Sequence, residues 1–268
     1  MTFPESERET YKDNPLKEVI CQLRHPAILK LETSSLADFQ ESFRHEYPVY
    51  TETRSQVPAE VARFFPEAFS IAASPVVHEF ATKDKLWTIA VCRDFIALTS
   101  HKYLSWDDFE KRLNAITSRF VELYKPPYFT RVGLRYVNII KREQLGLNDV
   151  GWHELLNHKI AGELSETDFK GAEFEGIVKQ LVIGLDDKHS KIRLQHGFVA
   201  EGAQVEKHYL IDSDFYTEQQ IEVNDVKKLL KYFNKESGNL FRWCISSKLR
   251  LALGPIKPGK VSRNKQTA

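Results

Sequence analysis

Very little in this sequence is in excess. Its 38 lysines and arginines stand against 37 aspartates and glutamates, a net charge of +1. A chain so balanced has no global field to draw it onto nucleic acid or a membrane surface. Cysteine is scarce: Cys21, Cys92 and Cys244 are far apart, odd in number and each set among apolar residues. That scatter excludes a disulfide framework and the paired spacing of a zinc site, and reads as reduced thiols packed in a cytoplasmic core. No run approaches the roughly 20 apolar residues that a membrane-spanning helix needs. Residues 1–15, MTFPESERETYKDNP, hold no apolar stretch, so no secretory signal is expected. Catalytic motifs are missing as well. There is no P-loop, no G-x-G-x-x-G ahead of a suitable helix, no G-x-S-x-G and no H-E-x-x-H.

What is present is an ordinary globular pattern. Apolar residues make up 42% and charged residues 28% of 268, enough chain for one large domain or two of ordinary size. EVICQLR (18–24) alternates Val19, Cys21 and Leu23 against polar neighbours, a half-buried strand stopped by Pro26. Ser34 or Ser35 is placed to cap a helix carrying Leu36, Phe39 and Phe43. Residues 50–75, with Pro58, Pro66 and Pro75 around Phe64, Phe65 and Phe69, read as a covering loop with a short helix. VVHEFAT and LWTIAVC form a hairpin across the polar KDK, and FIALTS follows Arg93-Asp94. Next comes a strong helical signal. Ser105 is in N-cap position, Asp107 and Asp108 lie in the first turn, and Phe109, Leu113, Ile116, Phe120 and Leu123 make an apolar stripe up to Pro126-Pro127.

TRVGLRYVNII then returns as a long strand, and Trp152 to Leu164 suggests one or two short helices. VKQLVIGL, KIRLQHGFV and HYLIDSDFY are three further strands. Asn224-Asp225 opens a second amphipathic helix with Val226, Leu229, Leu230, Phe233 and Leu240-Phe241 facing inward. Strands come in runs and do not alternate singly with helices. The expected fold is therefore α+β: two similar half-units of antiparallel strands, each followed by a long amphipathic helix packed on the sheet. The expected divisions are a flexible arm over 1–15, a first unit over 16–145, a second over 146–254 and a disordered basic tail over 255–268. The order of elements suggests an internal pseudo-repeat, although identity between the halves is weak.

HYLIDSDFY (208–216) is the stretch most like chemistry, because period two puts Asp212 and Asp214 on one face of a strand. A metal-dependent phosphoryl-transfer site needs a third carboxylate and a phosphate cradle, and neither is evident; the pair remains a weak metal candidate. Asp186-Asp187 suits a hairpin turn. His153 and His158 are five apart and point in different directions on a helix, and a lone histidine such as His196 is more often structural. The cysteines lie in apolar runs that raise a thiol pKa, so they are poor nucleophiles. The arginines are more suggestive. Arg131 and Arg135 share a strand face around Gly133, Arg93 and Arg193 are read onto neighbouring strands, and Arg24 lies on the first. Converging, Arg131, Arg135, Arg93 and Arg193 would bind a phosphate or carboxylate. The plainer alternative pairs them with Glu18, Asp94, Asp212 and Asp214 across the sheet. From Ser246 onward there is no acid, and Lys257, Lys260, Arg263 and Lys265 in the tail can touch phosphates; a solvated terminus is the plainer reading.

NPLKEVICQLR (14–24), CRDFIALTSHKYLSWDDFEKRL (92–113), PPYFTRVGLRYVNII (126–140), HYLIDSDFY and LFRWCISSKLRLALGP (240–255) together resemble a sporadically distributed bacterial family of about this length with no assigned activity. The resemblance covers nearly the whole chain. It implies a single full-length module, and sporadic distribution suggests a defence or toxin–antitoxin locus; it assigns no catalytic residue. Two functions stay open. One is a non-enzymatic binding or accessory module acting through a protein, or through nucleic acid, with a homo-oligomer also allowed. The other is a metal-dependent enzyme on nucleotides or phosphate esters, using Asp212 and Asp214 with the strand arginines. No cofactor is expected for the first.

Overall fold

The computed structural model describes residues 2–33, 36–54, 76–165, 174–199 and 207–256. In chain order the strands are β1 (Thr10–Tyr11), β2 (Leu16–Arg24), β3 (Val49–Arg54), β4 (Val76–Ala81), β5 (Trp87–Cys92) and β6 (Phe95–Ser100). They continue with β7 (Arg131–Ile140), β8 (Val178–Gly184), β9 (Ser190–Val199), β10 (His208–Thr217) and β11 (Pro255–Ile256). The helices are α1 (Lys30–Thr33), α2 (Ala37–Phe43), α3 (Trp106–Tyr124), α4 (Trp152–Leu155), α5 (His158–Ala161), α6 (Val226–Cys244) and α7 (Ser247–Ala252). This is an α+β fold built on antiparallel strand pairs. The helix cap expected at Ser34 or Ser35, residues 55–75 of the loop expected over 50–75, and the tail lysines and arginine at 257–265 lie outside the described residues; residues 50–54 of that expected loop are instead strand, part of β3.

The chain divides into two compact units. A central unit holds Glu18–Leu134 and Tyr216–Leu230; a terminal unit holds Met1–Lys17, Arg135–Phe215 and Lys231–Ala268. The divisions cut through β2, β7, β10 and α6, so each of these elements contributes residues to both.

In the central unit the strand order is β3-β4-β5-β6-β2, with the start of β7 following β2. β2 pairs antiparallel with β6 from Val19↔Ser100 to Arg24↔Phe95, and β5 pairs with β6 as a hairpin. The alternation in EVICQLR does what it implies: Val19, Cys21 and Leu23 are buried. At the KDK turn Asp84 Oδ1 accepts hydrogen bonds from Thr82 Oγ1 and the Leu86 amide, and Lys85 takes a positive φ of 56°. α3 starts where its sequence says it should. The Ser105 side chain accepts from the Asp108 amide at 3.2 Å, and Lys125 ends the helix in a left-handed conformation ahead of Pro126. Phe109, Leu113, Ile116 and Phe120 are buried along one face, whereas Leu123 is only half-buried. Phe120 lies 6.4 Å, edge on, from Phe39 of α2, and Phe109 lies 5.8 Å from Trp87 of β5.

In the terminal unit the order runs from the rest of β7 through β10 and β9 to β8, with β1 and β11 as a separate two-stranded pair. β8 and β9 form a regular hairpin from Val178↔Gly197 to Gly184↔Lys191. Gly197 has φ +148°, and a Cβ there would strike the Ile177 carbonyl, so the close approach of β8 requires glycine. Phe233 of α6 packs on Phe215, and Asn157 caps α5 by accepting from the Lys159 amide. Residues 2–15 are not a free arm. Phe3 is buried against Trp243 at 5.6 Å, Thr10 and Tyr11 pair with Ile256 and Pro255, and the Arg250 guanidinium binds the Glu9 carboxylate. Apolar Phe3 and Tyr11, spaced among charges without periodicity, anchor the segment one residue at a time. Sequence periodicity cannot detect that mode of packing.

Candidate functional site

Asp212 and Asp214 lie on β10, whose other face buries Tyr209, Ile211, Ser213 and Phe215. The two carboxylates are claimed by arginines of adjacent strands. Arg135 on β7 makes a forked contact: Nε donates to Asp212 Oδ1 at 2.8 Å and Nη2 to Oδ2 at 2.5 Å. The fork matches both carboxylate oxygens and covers Asp212, which is only 7% exposed although it lies on the face opposite Ile211. Arg193 on β9 approaches Asp214 less closely, with Nη1 4.0 Å from Oδ2. In the terminal unit, then, two acids and two arginines neutralise one another.

The central unit treats its candidates in the same way. Arg131 folds back over Gly133, where a Cβ would collide with the guanidinium. From there it donates to Gln22 Oε1 at 3.5 Å and stacks on the Tyr216 ring at 5.0 Å. The strand glycine therefore admits a side chain of its own strand. Arg93 is not on a strand; it occupies the turn between β5 and β6 and pairs with Glu32 of α1 at 3.1 Å. The expectation that it neighbours Arg193 on an adjacent strand is corrected: the two residues before Phe95 turn the hairpin, and the strand ends at Cys92. Arg24 donates to Gln22 Oε1 as well, at 3.1 Å.

All three cysteines are free and buried. Burial pushes the thiols of Cys21, Cys92 and Cys244 above their usual range, which keeps them protonated and weakly nucleophilic. His153 and His158 are exposed on α4 and α5. His196 is buried on β9, with Nδ1 2.8 Å from the Tyr209 hydroxyl. Burial, followed by the positive charge of Lys179 and opposed by Glu163, holds the ring pKa down at about 4. The tyrosine is pushed up by its own burial. This is a neutral imidazole locked in a core. Among the described residues, no group of three or more His, Cys, Asp or Glu side chains is placed to hold a metal ion, and no helix is long and apolar enough to cross a membrane.

Two features of the terminal unit are invisible in the sequence. His208 is 1% exposed, and its Nδ1 lies 3.8 Å from Glu143 Oε2, with both ring nitrogens and that oxygen lacking a hydrogen-bond partner among the described residues. Beside them Arg142 donates to the Val150 carbonyl and stacks on Trp152 at 4.8 Å. Separately, a cleft of about 400 Å³ opens where Asp13–Lys17 passes Ile139–Lys141, Gln144, Leu145 and Leu253. These residues come together from distant segments, so no local motif could have marked them. Neither feature brings a nucleophile to a base. No family model matches the chain, and no curated protein is similar to it.

Proposed function

We propose that this chain is a non-catalytic binding module, an accessory or sensor component of a bacterial defence or toxin–antitoxin locus, working in the cytoplasm through a protein partner. One observation carries the reading: each of the four arginines that would form a phosphate pocket is engaged within its own unit. Arg135 and Arg193 hold Asp212 and Asp214, Arg93 holds Glu32, and Arg131 rests on Gln22 and Tyr216. An arginine already matched to a carboxylate gains little from a phosphate and must break its pair to bind one. The same pairs count against the enzymatic alternative, since a metal at Asp212 and Asp214 would have to displace two guanidinium groups.

The defence-related setting rests on the resemblance of the quoted stretches to a sporadically distributed bacterial family, and that resemblance is part of the proposal. The equal length of α3 and α6, 19 residues each, supports reading the two halves as an internal pseudo-repeat. The test is capture of the tagged full chain from its host, with the eluate examined for protein and nucleic acid before and after nuclease treatment. A protein retained in fixed ratio through nuclease treatment is expected. Retention of nucleic acid alone, or of nothing, would overturn the protein-partner reading.

A further inference from the structure

β8 is the last strand of the order in the terminal unit, with β9 as its neighbour on one side. Its register shows which backbone groups face the open side. The Ile177 carbonyl accepts from the Phe198 amide at 2.8 Å, and the Leu185 amide donates to the Ser190 carbonyl at 2.8 Å. In an antiparallel pair such hydrogen-bonded positions recur at every second residue. Lys179, Leu181 and Ile183 therefore bond toward β9, and Val178, Gln180, Val182 and Gly184 turn their N–H and C=O groups to the opposite edge, along which no strand lies among the described residues.

Edges are normally blunted by charge, proline or a bulge. β8 (VKQLVIG) has no proline, pairs without a bulge, and its one charge, Lys179, is tied to Glu163. Val178, Leu181 and Val182 stand 71%, 43% and 56% exposed. By contrast β3 (VYTETR), which ends the strand order of the central unit, carries the exposed Glu52.

We propose that β8 is a homodimer edge, at which β8 of a second copy adds antiparallel about a two-fold axis at Leu181. The proposal rests on the protein-binding reading and names one partner for it. A two-fold at Leu181 sets Gln180 opposite the second copy's Val182, and Val178 opposite its Gly184. These are the residues whose backbone groups face outward, so each pair can exchange two hydrogen bonds. Leu181 meets its own copy, and the exposed valines gain cross-strand neighbours. Charge fits too. Lys179 faces Ile183, and the two Lys179 side chains stand about 14 Å apart along the strands, beyond strong repulsion. Every position of the strand finds a compatible mate in itself.

Sedimentation of the purified full chain from low to high micromolar concentration tests this. The expected result is a mass that moves from one chain to two. Gln180→Pro removes an edge-facing N–H and leaves the bonds to β9 in place, so it is expected to keep the fold by circular dichroism and weaken association about tenfold or more. Leu181→Lys puts like charges face to face at the axis and should give a monomer; mixing it with Leu181→Glu should restore a dimer. A monomer at every concentration, or a dimer indifferent to both Gln180→Pro and Leu181→Lys, would overturn the proposal. A monomer that still captures a different protein from the host would sink the dimer and leave the binding-module reading standing.

Discussion

Asp212 and Asp214 differ in how firmly they are held, and the difference can be measured. Asp212 is nearly enclosed and receives two charge-assisted hydrogen bonds from Arg135, whereas Asp214 has a looser pairing with a half-exposed Arg193. Removing Arg135 leaves a covered carboxylate without its main donor. Arg135→Ala is therefore expected to cost about 2 kcal/mol in urea unfolding. Arg193→Ala should cost less than about 1 kcal/mol. Equal losses would show that the forked geometry does not matter. His196 supplies a pH test. Its folded pKa is depressed to about 4 from 6.5, so between those values the unfolded chain binds the extra proton. The stability it contributes is complete above pH 6.5 and is lost as pH falls toward 4, by about 3 kcal/mol in total. His196→Gln should flatten the unfolding free energy across that window relative to wild type; an unchanged slope would show that the ring is not buried in neutral form. At this scale the sequence showed that carboxylates and arginines share strand faces, and period two was enough for that. It could not show which arginine meets which acid, because pairing depends on strand order, and it gave no sign of His208 against Glu143, which are brought together from separate elements.

Helix α3 was readable because every local rule agreed on it: a serine cap, acids in the first turn, an apolar stripe and a proline stop. Phe120 is fully buried against His25, Phe39 and Tyr124. Phe120→Ala is expected to cost about 3–5 kcal/mol, measured by chemical denaturation. The half-buried Leu123, at the end of the same stripe, should cost less than half as much on truncation to alanine. A loss below about 1 kcal/mol at Phe120 would put the wrong face of the helix inward. The N-terminal segment is the opposite case. Its composition, charged and aperiodic, describes its solvent side only, and Phe3 and Tyr11 dock against the rings of Trp243 and Phe241. Phe3→Ala should lower stability by about 2 kcal/mol; no change would mean the segment is free in solution. Arg93 shows the third kind of difference. A two-residue turn shifts a residue off the strand, and hairpin boundaries are set by pairing rather than by composition.

For the molecule as a whole, the units exchange chain at points inside β2, β7, β10 and α6, and no shift of composition marks such points in a sequence. Long elements of uniform pattern conceal where one cluster of contacts ends and the next begins. Charge balance was visible from the start, and the structure gives it local form, with acids and arginines on the sheet faces cancelling in pairs. The reading of the chain as a binder rests on those pairs being permanent features of the fold. Hydrolysis of nucleoside triphosphates and phosphate monoesters by the purified full chain, with magnesium and with manganese, beside Asp212→Asn/Asp214→Asn, tests that most directly. The expected result is no metal-dependent turnover by either protein, with the double variant less stable than wild type. Metal-dependent turnover by wild type that disappears in the double variant would contradict it, and would make the two aspartates catalytic.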